Sequence, residues 1–464
     1  DFLMGDSGGV LMKMDFVFIG TEIFSRTATF FEKYKEYTLH PKGSPERTKF
    51  WATEKDRRLR GVEAKCKLYY KDIPKYLACK TDTERKALLR PLRITGDHYN
   101  YLNYGRIKRV PNKEERKQLD KEGKFDVQTI DGFPRFWDGD YWNYKIDELA
   151  SLNKYNLTKA KARRKGFSYK AAAGAANKLN TIKNIAITFV AKDLKDLIDP
   201  DNTSSMSKTC LDWYESYTDW KRGYLSEDLE KGLELGYKKK KEGNKKYGMR
   251  SILYSIPVGL KPDKAASKKS YITEFEEAGK NDNLQRALDF MKSNSESGGI
   301  RVGNIRVYGT SGVEGAIWEP FRNCFYNCAA NNMLPLENIW DKGKRHTTCG
   351  FFFPQIWCYE PYIIDGNSII FESYIEDFID KENAKENSDS ESYTTFVAQR
   401  ANTPAEAFMN TNDNIFNSFE LENHTNMLLN DGSYKFYQDG WYVIKDGSVR
   451  FLNKQECINN NVFG

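Results

Sequence analysis

The sequence predicts an α/β protein built on a mostly parallel sheet, and three observations predict it. Short apolar runs recur from about residue 130 onward: NIAITFV, SILYSIPV, SYITEF, IRVYGT and SYTTFVAQ. Helical stretches separate them, so each connection can cross the sheet and cover one of its faces. One strand-like stretch, Tyr155 to Thr158, leads through Gly166 into an Ala-rich run that opens at Ser168, and alanine is the best helix former.

Length and charge bound the function. At about 150 residues per domain, a chain of this size holds two or three domains and a large buried core. No apolar run approaches the roughly 18 residues of a membrane helix. The opening segment DFLMGDSGGVLMKMDFVFIG has no basic flank or small-residue cleavage site, so no signal peptide is expected. A net charge of +7 permits a polyanionic partner without demanding one. Basic residues gather in two places, Lys159 to Lys165 and Lys238 to Arg250. The second is a candidate for DNA phosphates or an ordinary solvated hairpin. The eight cysteines include no CxxC pair, which suits reduced thiols. Cys324, Cys328, His346, Cys349 and Cys358 lie in one region, but their spacing fits buried cysteines better than a zinc site.

Three regions are expected. Residues 1–95 read as a mainly helical extension, in which FWATEKDRRLRG is an amphipathic helix with Phe50, Trp51 and Leu59 on one side. Residues 96–420 carry the α/β pattern, with 377–392 as a charged surface loop. Residues 421–464 read as a linker with a hairpin in YKFYQDGWYVIKDGSVRFL, because Asp-Gly steps favour tight turns.

The segment KARRKGFSYKAAAGAANKL (161–179) is the phosphate-binding candidate. A strand, a glycine turn and a helix start place unpaired N–H groups and the helix dipole toward an anion. The usual pattern is G-x-x-x-x-G-K-[ST]. Here Lys161 replaces the first Gly and Phe167 the Lys, while Ser168 keeps the hydroxyl for Mg²⁺; Arg163, Arg164 and Lys165 supply nearby cations.

Glu276 and Glu277 end the run SYITEF, and strand C-termini are where open α/β sheets place ligands. One acid can hold a metal and its neighbour can activate water. The next strand ends in Gly309-Thr310-Ser311-Gly312, whose hydroxyls can sense a γ-phosphate. Each piece also has a plain alternative, a basic helix start, an acidic helix start and a Gly-Ser turn. Their order raises the joint case above each alone.

These residues resemble the large terminase subunits of tailed bacteriophages. ARRKGFSY is similar to a deviant Walker A motif, FEEAGKNDNLQRAL to a Walker B, and YGTSG to the motif coupling hydrolysis to movement. RANTPAEAFMNTNDNIF (400–416) resembles the close of the ATPase region, and ITGDHYNYLNYGRI a stretch upstream of it. The resemblance implies a P-loop NTPase fold of ASCE/RecA-like type, substrate ATP, and Mg²⁺. It implies that Arg164, Lys165, Gly166, Phe167 and Ser168 form the phosphate loop, with Ser168 and Glu276 at the metal. Arg163 would meet the γ-phosphate, Glu277 would activate water and Thr310 would couple. Adenine would meet PRFWDGDYWNYKIDEL, where Trp137, Tyr141 and Trp142 are either stacking residues or core.

The resemblance further implies double-stranded DNA, a portal protein and a small terminase subunit as partners. It also implies a homo-oligomeric ring and a place in the host cytoplasm, transiently on the procapsid portal. The family's nuclease domain is expected to be absent from this stretch. Two rivals remain at this level: a helicase-like ATPase, and a non-enzymatic DNA-binding or virion-associated protein with a degenerate nucleotide site.

Overall fold

The computed structural model describes residues 2–5, 8–198, 209, 224–228, 232–239, 243, 245–259, 261–267, 269–292, 295–297, 300–310, 318–341, 347–360, 362–409, 440–445, 448–453 and 456. Ser311, Gly312, Lys240, Lys241, His346 and residues 410–416, all singled out above, lie outside them.

The N-terminal region holds more strand than expected. Phe16–Phe18 (β1), Val62–Tyr69 (β2) and Arg90–Ile94 (β3) form an antiparallel sheet in that order. Helix α1, Pro45–Arg60, precedes β2 and starts where the Ser44 hydroxyl accepts the Arg47 N–H. Its buried face is not the expected apolar one. Glu54 and Arg58 are buried while Leu59 is 45% exposed. Glu54 accepts from the Tyr99 and Tyr104 hydroxyls, and Arg58 Nε donates to Asn100 and Asn177. Those partners meet the desolvation cost that otherwise keeps charges outside. They lie on α2, Gly96–Tyr104, and on α4, Phe167–Thr181, and α2 and α4 pack on each other.

Among the described residues the central sheet has eight strands. In chain order they are β4 (Leu157–Lys161), β5 (Ala186–Ala191), β6 (Tyr224–Asp228), β7 (Gly232–Leu235), β10 (Ile252–Pro257), β11 (Ile272–Phe275), β12 (Asn304–Gly309) and β13 (Phe351–Phe353), with a small pair β8 (Tyr237–Lys238) and β9 (Lys246–Tyr247) between β7 and β10. Their order across the sheet is β6-β7-β10-β5-β11-β12-β4-β13. β10 through β13 pair in parallel, and β7 and β6 add an antiparallel edge. The mostly parallel sheet is therefore as the apolar runs predict.

Helices cover both faces. Alternation along each strand sends Phe351, Phe353 and Tyr308 to one core, with α3 (Asp138–Leu152) and α4 (Phe167–Thr181). Phe352, Val307 and Phe275 point to the other, with α5 (Leu284–Lys292) and α6 (Glu319–Tyr326). Successive strand side chains point to opposite faces, so one strand feeds two cores.

Two expectations are corrected here. SYTTFVAQ lies in a helix, α8 (Ser390–Gln399), started by the Asp389 carboxylate accepting the Ser392 N–H; the cap overrides the strand propensity of its Thr and Val. The charged stretch from 377 is helical too, within α7 (Ile370–Asn387). Asp377 and Lys381, four apart, form its buried face and pair with Arg400 and Glu406. Charges that suggested a solvated loop are the internal contacts of a helix. The expected C-terminal hairpin is present as β14 (Gly440–Lys445) against β15 (Ser448–Asn453).

Candidate nucleotide site

The turn between β4 and α4 sets one wall of a cavity of about 460 Å³. Gly166 caps α4 with φ 68°, a left-handed conformation that costs other residues roughly 1–2 kcal/mol. A side chain there would meet nothing within 4 Å, so backbone conformation rather than space favours glycine. The first main-chain bond of the helix runs from the Lys170 N–H to the Gly166 carbonyl. The N–H groups of the first turn therefore point into the loop, as in an anion site.

The opposite wall comes from two neighbouring strand ends. β11 lies two strands from β4, with β12 between them, and Glu276 and Glu277 follow it directly. The Ser168 hydroxyl donates to Glu276 Oε1, joining residues far apart in sequence. Glu276 is buried, and its Oε2 has no hydrogen-bond partner among the described residues. Burial pushes this carboxyl up to about 8, opposed by the Ser168 bond. Glu277 sits at φ 48°, a strained backbone of the kind concentrated at functional sites. Its carboxylate accepts from Thr310 Oγ1 at 3.5 Å, and Lys161 Nζ lies 3.7 Å from Oε1.

Gly309 makes that meeting possible. A Cβ at Gly309 would stand 2.8 Å from the Ala278 nitrogen and 3.2 Å from the Glu277 carbonyl carbon. The end of β12 thus runs against the Glu277–Gly279 turn, with the Ala278 N–H donating to the Tyr308 carbonyl.

Several expected site residues converge and others do not. Arg163, Arg164, Gly166, Ser168, Glu276 and Glu277 all line the cavity. Arg163 also donates to the Gln399 side chain at 2.9 Å. Lys165 lines it too, but its ammonium donates to the Gln355 and Trp357 carbonyls at 2.6 and 2.9 Å, and burial pulls its pKa down to about 8. It clamps the turn from behind. The Phe167 side chain is a core group, not a phosphate contact. It is 4% exposed and packs on Phe353 and Tyr308, leaving only its backbone for a ligand.

Tyr141 and Trp142 are corrected as base-stacking residues. Both are buried, Tyr141 against Phe18 and Trp142 against Phe2 and Phe16. Trp137 lines a separate cleft of about 610 Å³ with Arg109 and Arg135.

Sequence reasoning missed Lys161. It is buried, near the Phe167 ring at 5.9 Å and beside Glu277. Its signal was available: it ends the strand, where the usual pattern has glycine. Cys324, Cys328 and Cys349 are buried, and burial raises their thiol pKa values. Among the described residues no group of three or more His, Cys, Asp or Glu is placed to hold a metal.

A buried charge cluster underlies the site. Asp147 of α3 meets Lys159 at 2.6 Å and Arg306 at 3.6 Å, and Arg306 bonds Glu274 at 3.0 Å. Burial alone would raise the Asp147 carboxyl, but Arg306 and Lys159 outweigh it and hold it below the usual range. Lys159, Glu274 and Arg306 lie on β4, β11 and β12, each a few positions before a site residue.

No family model and no curated protein matches the chain. Solved structures do. The ATPase domain of the large terminase of Thermus phage P74-26 aligns over 64% of this chain and 99% of its own, at 10% identity and TM-score 0.35. The large terminase of bacteriophage HK97 aligns over 60% of this chain and 52% of its own, at 10% identity and TM-score 0.36. The large terminase of the thermophilic bacteriophage D6E, in complex with ADP, aligns over 43% of this chain and 44% of its own, at 10% identity and TM-score 0.30. Each of these three solved structures is a phage large terminase or its ATPase domain.

Proposed function

We propose that this chain is the ATP-hydrolysing motor of a phage large terminase, driving double-stranded DNA into procapsids. One observation carries the reading: the Gly166 turn and the Glu276–Glu277 pair share a cavity, joined by the Ser168–Glu276 hydrogen bond.

In this reading the phosphates of ATP lie against the first turn of α4. Its N–H groups, Lys161 and Arg163 offset their charge. Phosphate oxygens entering the cavity compete with Glu277 for Lys161, which leaves that carboxylate to a water. Glu277 takes the proton as the water oxygen bonds to the γ-phosphorus, and the bond to the departing ADP oxygen breaks. Mg²⁺ suits the hydroxyl and carboxylate oxygens of Ser168 and Glu276, and a cation there would answer the buried Oε2 that has no partner among the described residues. When bound it supplies charge neutralisation at the phosphate oxygens. Thr310, bonded to Glu277, links the nucleotide state to β12. A homo-oligomeric ring on a portal protein, aided by a small terminase subunit in the host cytoplasm, belongs to the same reading.

ATP turnover by Glu277→Gln, compared with wild type in the presence and absence of DNA, tests it. Turnover should vanish while nucleotide binding persists. Equal turnover in both proteins removes the assignment.

A further inference from the structure

The cluster of basic residues around Lys238 remains without a role. Its described residues form a two-stranded arm. β8 and β9 pair antiparallel, Tyr237 with Tyr247 and Lys238 with Lys246, and continue the antiparallel pair β7–β10. The change of direction falls at Gly236, φ 154°, where a Cβ would stand 2.6 Å from the Tyr247 carbonyl oxygen. The arm leaves at the start of β10, whereas the nucleotide cavity gathers at the ends of the parallel strands.

The two faces of this ribbon differ. Tyr237 and Tyr247 stack on one, with ring centroids 5.8 Å apart. Lys239 and Lys245 lie over the Tyr247 ring at 4.6 and 5.6 Å. Lys238 and Lys246 occupy the other face, directly opposite each other. Glu234 pairs with Lys246 at 2.7 Å. Lys238, Lys239, Lys245 and Lys246 are exposed. At the base, Arg250 and Lys183 are exposed as well, held together by the Asn184 N–H donating to the Met249 carbonyl.

We infer that this arm is a binding surface for the phosphate backbone of duplex DNA. Exposed lysines on a two-stranded ribbon supply sequence-independent phosphate contacts, and a ribbon of this kind fits the major groove. Tyr247 is stacked on Tyr237 and overlain by Lys239 and Lys245, so its ring is not a platform for an unpaired base, and Tyr237 alone does not make the run of stacking rings that a single strand uses. The deep, narrow major groove of double-stranded RNA does not admit a ribbon. This deepens the motor reading by naming the surface that meets its track, and it is testable without nucleotide.

The experiment measures binding of a 30-base-pair duplex (about three helical turns) by fluorescence anisotropy across a salt series, with no ATP. The protein is compared with the triple variant Lys238→Gln, Lys239→Gln, Lys245→Gln, and with the same three positions changed to Arg. Lys246 is kept because its bond to Glu234 supports the ribbon. The Gln variant should bind about tenfold more weakly, and its slope of log affinity against log salt should be shallower by roughly 2 to 3. The Arg variant should bind like wild type. Failure of wild type to bind duplex, coincident slopes for wild type and the Gln variant, or a loss seen with single strands or RNA but not duplex, each overturns the inference. A Gln variant that loses duplex affinity, beside a Glu277→Gln protein with undiminished turnover, would leave the arm standing and remove the motor.

Discussion

Lys161 Nζ lies 3.7 Å from Glu277 Oε1, so the strand that enters the Gly166 turn delivers a buried cation to the carboxylate across the cavity. The usual lysine position is filled by Phe167, whose ring is spent on the core. Lys165 is spent on two carbonyls. By elimination among these three, Lys161 is the buried cation facing the cavity. Lys161→Met is expected to lower ATP turnover by about 100-fold or more, the magnitude typical for removing one charge-stabilising group. Lys165→Met should act mainly through the position of the turn, raising KM more than it lowers kcat. Steady-state kinetics on both variants check this, and full activity of Lys161→Met would contradict it.

Gly309→Ala places a Cβ 2.8 Å from the Ala278 nitrogen, and the backbone on both sides must give. The expected result is a folded protein that binds nucleotide and has lost most of its kcat, because Glu277 is displaced. Circular dichroism and nucleotide binding, measured beside turnover, separate displacement from unfolding.

Arg306 is bonded to Glu274 and faces Asp147. Arg306→Met leaves the buried Glu274 without the cation it bonds and Asp147 with Lys159, and breaking a buried pair costs about 3–5 kcal/mol. Urea denaturation should show a loss of that order. A loss below about 1 kcal/mol would mean that the cluster contributes little to the fold.

His98 is fully buried between the rings of Phe136 and Tyr144, at 5.3 and 5.1 Å. Neither ring nitrogen has a hydrogen-bond partner among the described residues, and burial depresses its pKa to about 3. The unfolded chain binds this proton from about pH 6.5 downward, whereas the folded chain resists until about pH 3. Stability from this group is therefore complete above pH 6.5 and falls as pH drops through the window, by up to about 1.4 kcal/mol per pH unit. His98→Phe keeps the stacking and should flatten that part of the acid stability curve. Denaturation midpoints of both proteins between pH 4 and 7 provide the check.

Sequence alone determined the features that depend on neighbours in the chain. Apolar runs marked β5, β10, β11 and β12; the glycine before an Ala-rich segment marked the turn into α4; two Asp-Gly steps marked the terminal hairpin. Local sterics and propensity are sufficient there, so no distant residue had to be known.

Tertiary structure decided which polar groups go inside. Glu54 and Arg58 of α1, and Asp377 and Lys381 of α7, are charges that pattern reading assigns to water. They are buried because tyrosine, asparagine, arginine and glutamate partners elsewhere in the chain pair with them. The same contest sent Tyr141 and Trp142 into the core and brought Lys161 to the cavity. It also made Phe351–Phe353 an edge strand that no alternation announced. A charge or an aromatic ring takes its place from the partner it meets across the fold, and that partner's distance is not written in the neighbouring residues.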